Sequence, residues 1–65
     1  MQLSINGEPR DVSGARTVAE LLIALGLGGR LAVEINGDIV PRGRYGEHRL
    51  YDNDVVEIVR AIGGG

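Results

Sequence analysis

The residues best suited to chemistry in this sequence are its last three, Gly63-Gly64-Gly65. Glycine has no side chain, so such a segment can enter a channel too narrow for other residues, and extended it reaches roughly 10 Å. Gly65 would present an α-carboxylate, which is ionised at neutral pH and is a poor electrophile. We therefore expect a flexible tail whose terminal carboxylate another protein activates, with adenylation by ATP as the chemically reasonable route.

The other candidate sites lack residues that their chemistry needs. Gly26-Leu27-Gly28-Gly29-Arg30 has neither the lysine nor the hydroxyl of a phosphate-binding P-loop, which favours a plain loop. Asp52-Asn53-Asp54 begins like a calcium loop but lacks its glycine, which favours a turn. His48 is the only histidine, and no cysteine is present to join it in a metal or nucleophile site. We expect no catalytic residue, no metal site and no bound cofactor.

Composition narrows the class of protein further. The chain has 65 residues, enough for one small domain, and seven basic against nine acidic residues give a formal charge of −2. That charge argues against nucleic acid as a partner. The absence of cysteine fits a reducing cytoplasm, and we see neither a signal peptide nor a segment able to span a membrane.

The first part of the sequence predicts a β-hairpin. Apolar and polar residues alternate over 2–6, which is typical of a half-buried strand. Asn6-Gly7 suits a type I′ turn, so a second strand is expected over 8–12. Because Pro9 cannot donate a hydrogen bond to a neighbour, this second strand belongs at a sheet edge.

A helix is predicted over 18–25. Thr17-Val18-Ala19-Glu20 has the form of a capping box, in which the Thr17 and Glu20 side chains each bond the other residue's backbone amide. The apolar residues that follow recur at helical spacing and predict one buried stripe. Gly26 is the expected left-handed stop, with Leu27 folding back on Leu22 as in a Schellman ending.

The second half of the sequence predicts three more strands. Alternation indicates a strand over 31–36, a turn at Asn36-Gly37 and a short strand over 38–40. Residues 42–49 read as polar and irregular. The strand 55–60 is apolar at four of its six positions, so we expect it at the centre of the sheet and covered on both faces. Together these elements predict an α+β domain with one helix on a mixed sheet of four to five strands.

The last strand also suggests a docking surface. If its even-numbered valine and isoleucine face the helix, its odd-numbered residues lie on the opposite sheet face beside residues of the 31–36 strand. An apolar patch with acidic edges there would suit a partner protein, or a loop could simply cover it. The residues of this predicted surface are Val55, Glu57, Val59, Ala32 and Glu34.

Several segments together resemble one known family over essentially the whole chain. They are Thr17 to Leu22, Ile35-Asn36-Gly37, Ile39-Val40-Pro41-Arg42, Asp54 to Val59, and the terminal glycines. In this order they resemble the ThiS family of sulfur carriers from thiamin biosynthesis. The Val-Pro-Arg segment and the last strand are the more specific features, since all ubiquitin-like carriers share the terminal glycines.

The resemblance implies a ubiquitin-like β-grasp domain over 1–62 and a tail that works in sulfur transfer. It implies that an E1-like enzyme uses ATP to adenylate Gly65, with Gly64 beside it, and that Gly63 is an additional glycine. It further implies that a cysteine-desulfurase system supplies sulfur and that the resulting thiocarboxylate donates it to thiazole synthase. The chain would be a co-substrate and not an enzyme.

Three alternatives stay open from the sequence. A carrier of this kind could serve molybdopterin or another sulfur-containing product. A β-grasp domain could also be an interaction module with no chemistry at its terminus. A modifier that is conjugated to other proteins is the weakest of the three.

Overall fold

The computed structural model describes residues 1–60, which form five strands and one α-helix around a single core. The elements are β1 (Gln2–Ile5), β2 (Glu8–Asp11), α1 (Val18–Ala24), β3 (Leu31–Ile35), β4 (Asp38–Val40) and β5 (Val55–Arg60). Each predicted element is confirmed to within a residue or so at its ends. The predicted tail 63–65 and the end of the predicted domain 1–62 lie outside the described residues.

The strands form one sheet in the order β2-β1-β5-β3-β4. β1 and β5 run parallel, and the other neighbours are antiparallel. The predicted central position of β5 is confirmed, as is the edge position of β2, where Pro9 lies. With α1 between the two antiparallel pairs in sequence, this is the expected α+β arrangement of a β-grasp fold.

The core lies between α1 and one face of the sheet, which we call the inner face. Burial alternates along β3 and over the first four residues of β5, because successive side chains of a strand point to opposite faces. The helix contributes Val18, Leu21 and Leu22 to the core. The buried apolar sheet residues are Leu3, Ile5, Leu31, Val33, Ile35, Val40, Val56 and Ile58.

Side chains and loop carbonyls accept hydrogen bonds from the backbone amides at the N-terminus of α1. The Thr17 hydroxyl accepts the Glu20 amide at 3.2 Å, which is the predicted half of the capping box. The other half is wrong, because Glu20 Oε1 accepts the Arg16 amide at 2.6 Å instead of the Thr17 amide. Carbonyls of the later loop, at Tyr45 and His48, accept the amides of Ala19 and Val18 and so satisfy the rest of the first turn.

The C-terminus of α1 has the predicted Schellman ending. Gly26 adopts a φ of 71°, in the left-handed region. The Leu27 amide donates to the Leu22 carbonyl at 2.9 Å, and the Gly26 amide donates to the Ile23 carbonyl at 3.0 Å. Leu27 is half-buried against the core, as expected for the apolar contact of this motif.

Both Asn-Gly turns have the positive φ angles that a type I′ turn needs, 52° and 84° at residues 6 and 7 and 52° and 89° at residues 36 and 37. Their asparagine side chains also bond to β5. Asn6 donates to the Ile58 carbonyl at 3.0 Å and accepts the Ile58 amide at 2.7 Å. Asn36 accepts the Val55 amide at 2.8 Å from the other edge of the strand.

The loop between β4 and β5 is more ordered than the prediction of an irregular segment allowed. It contains a 3-10 helix, Arg42–Arg44, which begins after Pro41. The Tyr45 hydroxyl donates to the Leu31 carbonyl at 3.0 Å, and Leu50 is buried in the core. The loop therefore covers one end of the hydrophobic core between α1 and the sheet.

Candidate functional site

The candidate site has two parts, which β5 connects. β5 begins at Val55 and ends at Arg60, immediately before residues 61–65. The predicted modified residue Gly65 and its neighbours Gly63 and Gly64 lie outside the described residues. The other part is the face of the sheet turned away from α1.

We call this face the outer face. Its central part comprises Ala32, Glu34, Ile39, Val55, Glu57 and Val59. All six side chains are exposed, with Val55 at 45%, Val59 at 59% and Ile39 at 73% of full exposure. The structure thus brings together the five residues predicted for a docking surface. The prediction that β5 is covered on both faces is wrong, because no part of residues 1–60 packs over these valines.

The antiparallel register fixes how the outer face is laid out. Ala32 lies opposite Val59, and Glu34 lies opposite Glu57. Ile39 lies opposite Glu34 on the far side of β3. The two glutamates therefore sit side by side within the apolar patch, and not at its edges as predicted.

Ile39 is the outer-face residue that the sequence prediction missed. It is 73% exposed, yet it belongs to a short strand that is antiparallel to β3. The available signal was the alternation in β4, which places Ile39 on the face opposite the buried Val40. Only the pairing with β3 shows that this face is the one that holds Glu34.

The predicted turn at Asp52-Asn53-Asp54 is confirmed, and its carboxylates bond to protein amides. Asn53 has a φ of 73°. Asp52 Oδ1 accepts the Gln2 amide at 2.6 Å. Asp54, only 8% exposed, accepts the Tyr51 amide and the Asn36 side-chain amide, both at 2.9 Å. Within residues 1–60 no group of three His, Asp or Glu side chains is placed to hold a metal ion.

A groove lies at the end of β5, on the inner side of the sheet. Its lining includes the apolar residues Leu25, Leu27 and Leu31 and the basic residues Arg10 and Arg60. Sequence reasoning missed it, because it arises where the end of α1 meets the sheet. Over residues 1–60 there is no helix with the length and apolar character needed to cross a membrane.

Comparison with known proteins places this geometry in a family. A sequence model described as the ThiS family matches residues 3–65. The sulfur carrier protein ThiS of Bacillus subtilis is 39% identical over 97% of this chain and 98% of its own length. A crystal structure of a thiamine biosynthesis protein, ThiS, from Geobacter metallireducens has 38% identity and a TM-score of 0.86 over the whole of both chains.

A longer relative is similar to the entire chain. A thiazole synthase of Paramagnetospirillum magneticum is 48% identical over 100% of this chain, which spans 20% of that protein's length. The relatives thus include proteins of two different lengths, and both align with the strands and helix described above. With the family model covering all but the first two residues, this chain belongs to the ThiS family.

Proposed function

We propose that this protein is a sulfur carrier in thiamin biosynthesis and that its Gly65 carboxylate is the point of sulfur attachment. The observation that carries the proposal is the match to the ThiS family, which extends to Gly65 and so includes the terminal glycines. The Bacillus subtilis relative, which is similar over nearly its full length, is named a sulfur carrier protein.

The proposed chemistry has two steps at the carboxylate. A carboxylate oxygen attacks the α-phosphorus of ATP, pyrophosphate leaves, and an acyl-adenylate forms. A sulfide sulfur then attacks the acyl carbon, and AMP leaves with the oxygen that bonded to phosphorus. One oxygen of Gly65 is thereby replaced by sulfur, giving a thiocarboxylate. Activation is needed because the ionised carboxylate is itself a poor electrophile.

The proposed partners follow from this chemistry. An E1-like enzyme forms the adenylate. A cysteine-desulfurase system supplies the sulfur as a persulfide, and a thiol reductant releases it as the sulfide that attacks the acyl carbon. Thiazole synthase receives the sulfur. Two relatives named thiazole synthase contain a region similar to the whole of this chain, which supports the last partner. We propose the cytoplasm as the site of the reaction, because the cysteine-free sequence fits a reducing compartment, and the chain as a co-substrate of these enzymes.

In this proposal the outer face is the docking surface for the enzymes, and the glycines are the part that enters their active sites. A segment of glycines can pass where side chains would clash. Gly64 and Gly63 keep the approach to the acyl carbon narrow. β5 connects the two parts, so a protein seated on the outer face holds Arg60, the last residue of β5 before the tail, in a fixed position.

A genetic experiment tests the pathway. A strain that lacks the gene should require thiazole for growth without added thiamin, and the full chain should restore growth. A variant without Gly64 and Gly65 should fail to restore it, whereas Ser13→Ala, a change in an exposed loop, should succeed. Full growth with the shortened chain would favour an interaction module, and a requirement for molybdopterin instead of thiazole would favour the other carrier.

A further inference from the structure

Two like charges face each other in the middle of the outer face. Glu34 and Glu57 are direct partners across the antiparallel β3-β5 ladder. Directly opposed residues have Cβ atoms about 4.5–5.5 Å apart, and like charges in this position destabilise a sheet. Neither carboxylate takes part in an ion pair within residues 1–60, where the two ion pairs are those of Met1 with Asp11 and of Arg44 with Glu47.

On the strands that the structure describes, the neighbours of this pair are apolar, and none of them is basic. Val59 and Ala32 form the next cross-strand row on one side, and Val55 precedes Glu57 by two residues on the other. Ile39 extends the row of the two glutamates onto β4. The register places ten residues of the five strands on this face, and none of them is basic: Gln2, Ser4, Pro9, Asp11, Ala32, Glu34, Ile39, Val55, Glu57 and Val59.

We propose that the outer face docks a partner protein that presents an arginine between apolar side chains, with its guanidinium contacting both Glu34 and Glu57. A guanidinium is planar, carries five donors and pairs with carboxylates in a bidentate manner. The apolar residues around the pair exclude water from the contact, which strengthens the attraction. Binding also removes the repulsion between the two carboxylates, so the partner stabilises an arrangement that is unfavourable in the free protein.

The negative charge of the outer face favours a protein that presents an arginine over the other possible binding partners. A second copy of the chain seated on the same face would bring four glutamates together. A nucleic acid or an anionic membrane would meet carboxylates with its own negative charge. A protein whose docking surface is acidic would be rejected for the same reason, so the pair also contributes to the choice of partner.

The inference rests on the proposed function, because it names the chemistry of the surface that the carrier's enzymes recognise. We take the ATP-dependent activating enzyme as the partner to be tested. Val59 lies six residues before Gly65, on the strand that leads to the tail. A protein bound here is therefore within reach of the carboxylate that it must activate.

The test measures binding of the activating enzyme without ATP, by isothermal titration calorimetry. The double variant Glu34→Gln/Glu57→Gln keeps the shape of both side chains and removes their charge. Its matched control is Glu8→Gln/Glu47→Gln, which changes two exposed glutamates elsewhere. Both double variants raise the formal charge from −2 to 0. The control also removes the ion pair of Glu47 with Arg44, which is exposed on the surface and so contributes little.

The outer-face double variant should raise Kd about tenfold or more, because it leaves the partner's arginine desolvated and without a counter-charge. Added salt should weaken binding of the wild-type chain more than binding of this variant, and the control should resemble the wild type. The variant's melting temperature should not fall, since a like-charge pair has been removed. A Kd equal to that of the wild type or of the control, or a wild-type chain that the enzyme does not bind, overturns the inference.

Adding ATP separates this inference from the proposed function. Binding that depends on the two glutamates, without any adenylate on Gly65, contradicts the carrier function and leaves the docking surface intact. Adenylation of the wild type and the outer-face variant with equal Kd values contradicts the arginine contact and leaves the carrier function intact.

Discussion

At the scale of single residues, the two turn asparagines have a role that extends beyond the turns. Both occur in the same tripeptide, Ile-Asn-Gly, and both side chains reach the backbone of β5, from opposite edges. Asn6 bonds both the amide and the carbonyl of Ile58, as a paired strand residue would. The turns therefore hold the central strand from either side.

Replacing Asn6 with glycine tests this role, because glycine keeps the positive φ and removes the side chain. Two hydrogen bonds are lost, so the free energy of unfolding should fall by about 1–2 kcal/mol. Amide hydrogen exchange should become faster at Ile58 and stay unchanged at Val55. Asn36→Gly is the matched control and should show the reverse pattern. Equal protection of Ile58 in the wild type and in Asn6→Gly would contradict the account.

The sequence predicts the turns themselves, because Asn-Gly between two alternating segments is a local signal. It cannot predict what the asparagine side chains bond. Those partners lie 52 and 19 residues away in the chain, and they depend on β5 entering between β1 and β3. The opposition of Glu34 and Glu57 was hidden for the same reason, since it needs the register of two strands.

At the scale of elements, the end of α1 depends on one backbone conformation. Gly26 has a φ of 71°, which side chains disfavour, while two residues later Gly28 has open space around it and no such angle. The Schellman bonds of Gly26 and Leu27 place the chain for its return to the sheet. Gly26 is therefore conformationally required, and Gly28 is not.

We expect Gly26→Ala to lower the free energy of unfolding by about 1 kcal/mol or more, because alanine is strained at positive φ. Gly28→Ala should change it by less than about 0.5 kcal/mol, or raise it slightly by restricting the unfolded chain. Chemical denaturation of the two variants measures both values. An equal loss of stability in the two would mean that the helix ending does not depend on the angle at Gly26.

β5, whose outer-face side chains are exposed, is the second element with a specific expectation. Val59→Asp should weaken binding and adenylation by the activating enzyme about tenfold, because it places a third carboxylate in the apolar part of the docking surface. Ile23→Asp is the matched control. Ile23 is 78% exposed on α1, which packs on the inner face, so its change should have little effect. Circular dichroism should show both variants folded, and equal adenylation by both would remove the outer face from the proposal.

The sequence predicts the elements whose apolar residues recur with a clear period. It does not predict the structure of the loop before β5. Strands and helix follow from alternation, capping residues and Asn-Gly turns, all of which act locally. Residues 41–54 have no period, and their order comes from tertiary bonds, such as the Tyr45 hydroxyl to the Leu31 carbonyl. The sequence also could not predict that the outer face is exposed, because the loop 41–54 is long enough to cover it. In the structure that loop packs elsewhere.

At the scale of the whole molecule, the proposed function assigns recognition to the folded domain and chemistry to the tail. The core between α1 and the inner face fixes the sheet, and the sheet presents a patch of apolar side chains around two carboxylates. The carboxylates of Asp52 and Asp54 could in principle act as acids or metal ligands. Both instead accept hydrogen bonds from backbone amides and so stabilise the fold. The proposed reacting group is instead a single carboxylate at Gly65.

Intact mass spectrometry of the protein recovered from its native cells tests this central claim most directly. We expect a fraction of the chains to be heavier by the mass difference between one sulfur and one oxygen. Fragmentation should locate the change at Gly65, and a strain without the activating enzyme should lack it. Chains that carry only an unmodified carboxylate during growth without thiazole, or a mature protein that does not end at Gly65, would contradict the account.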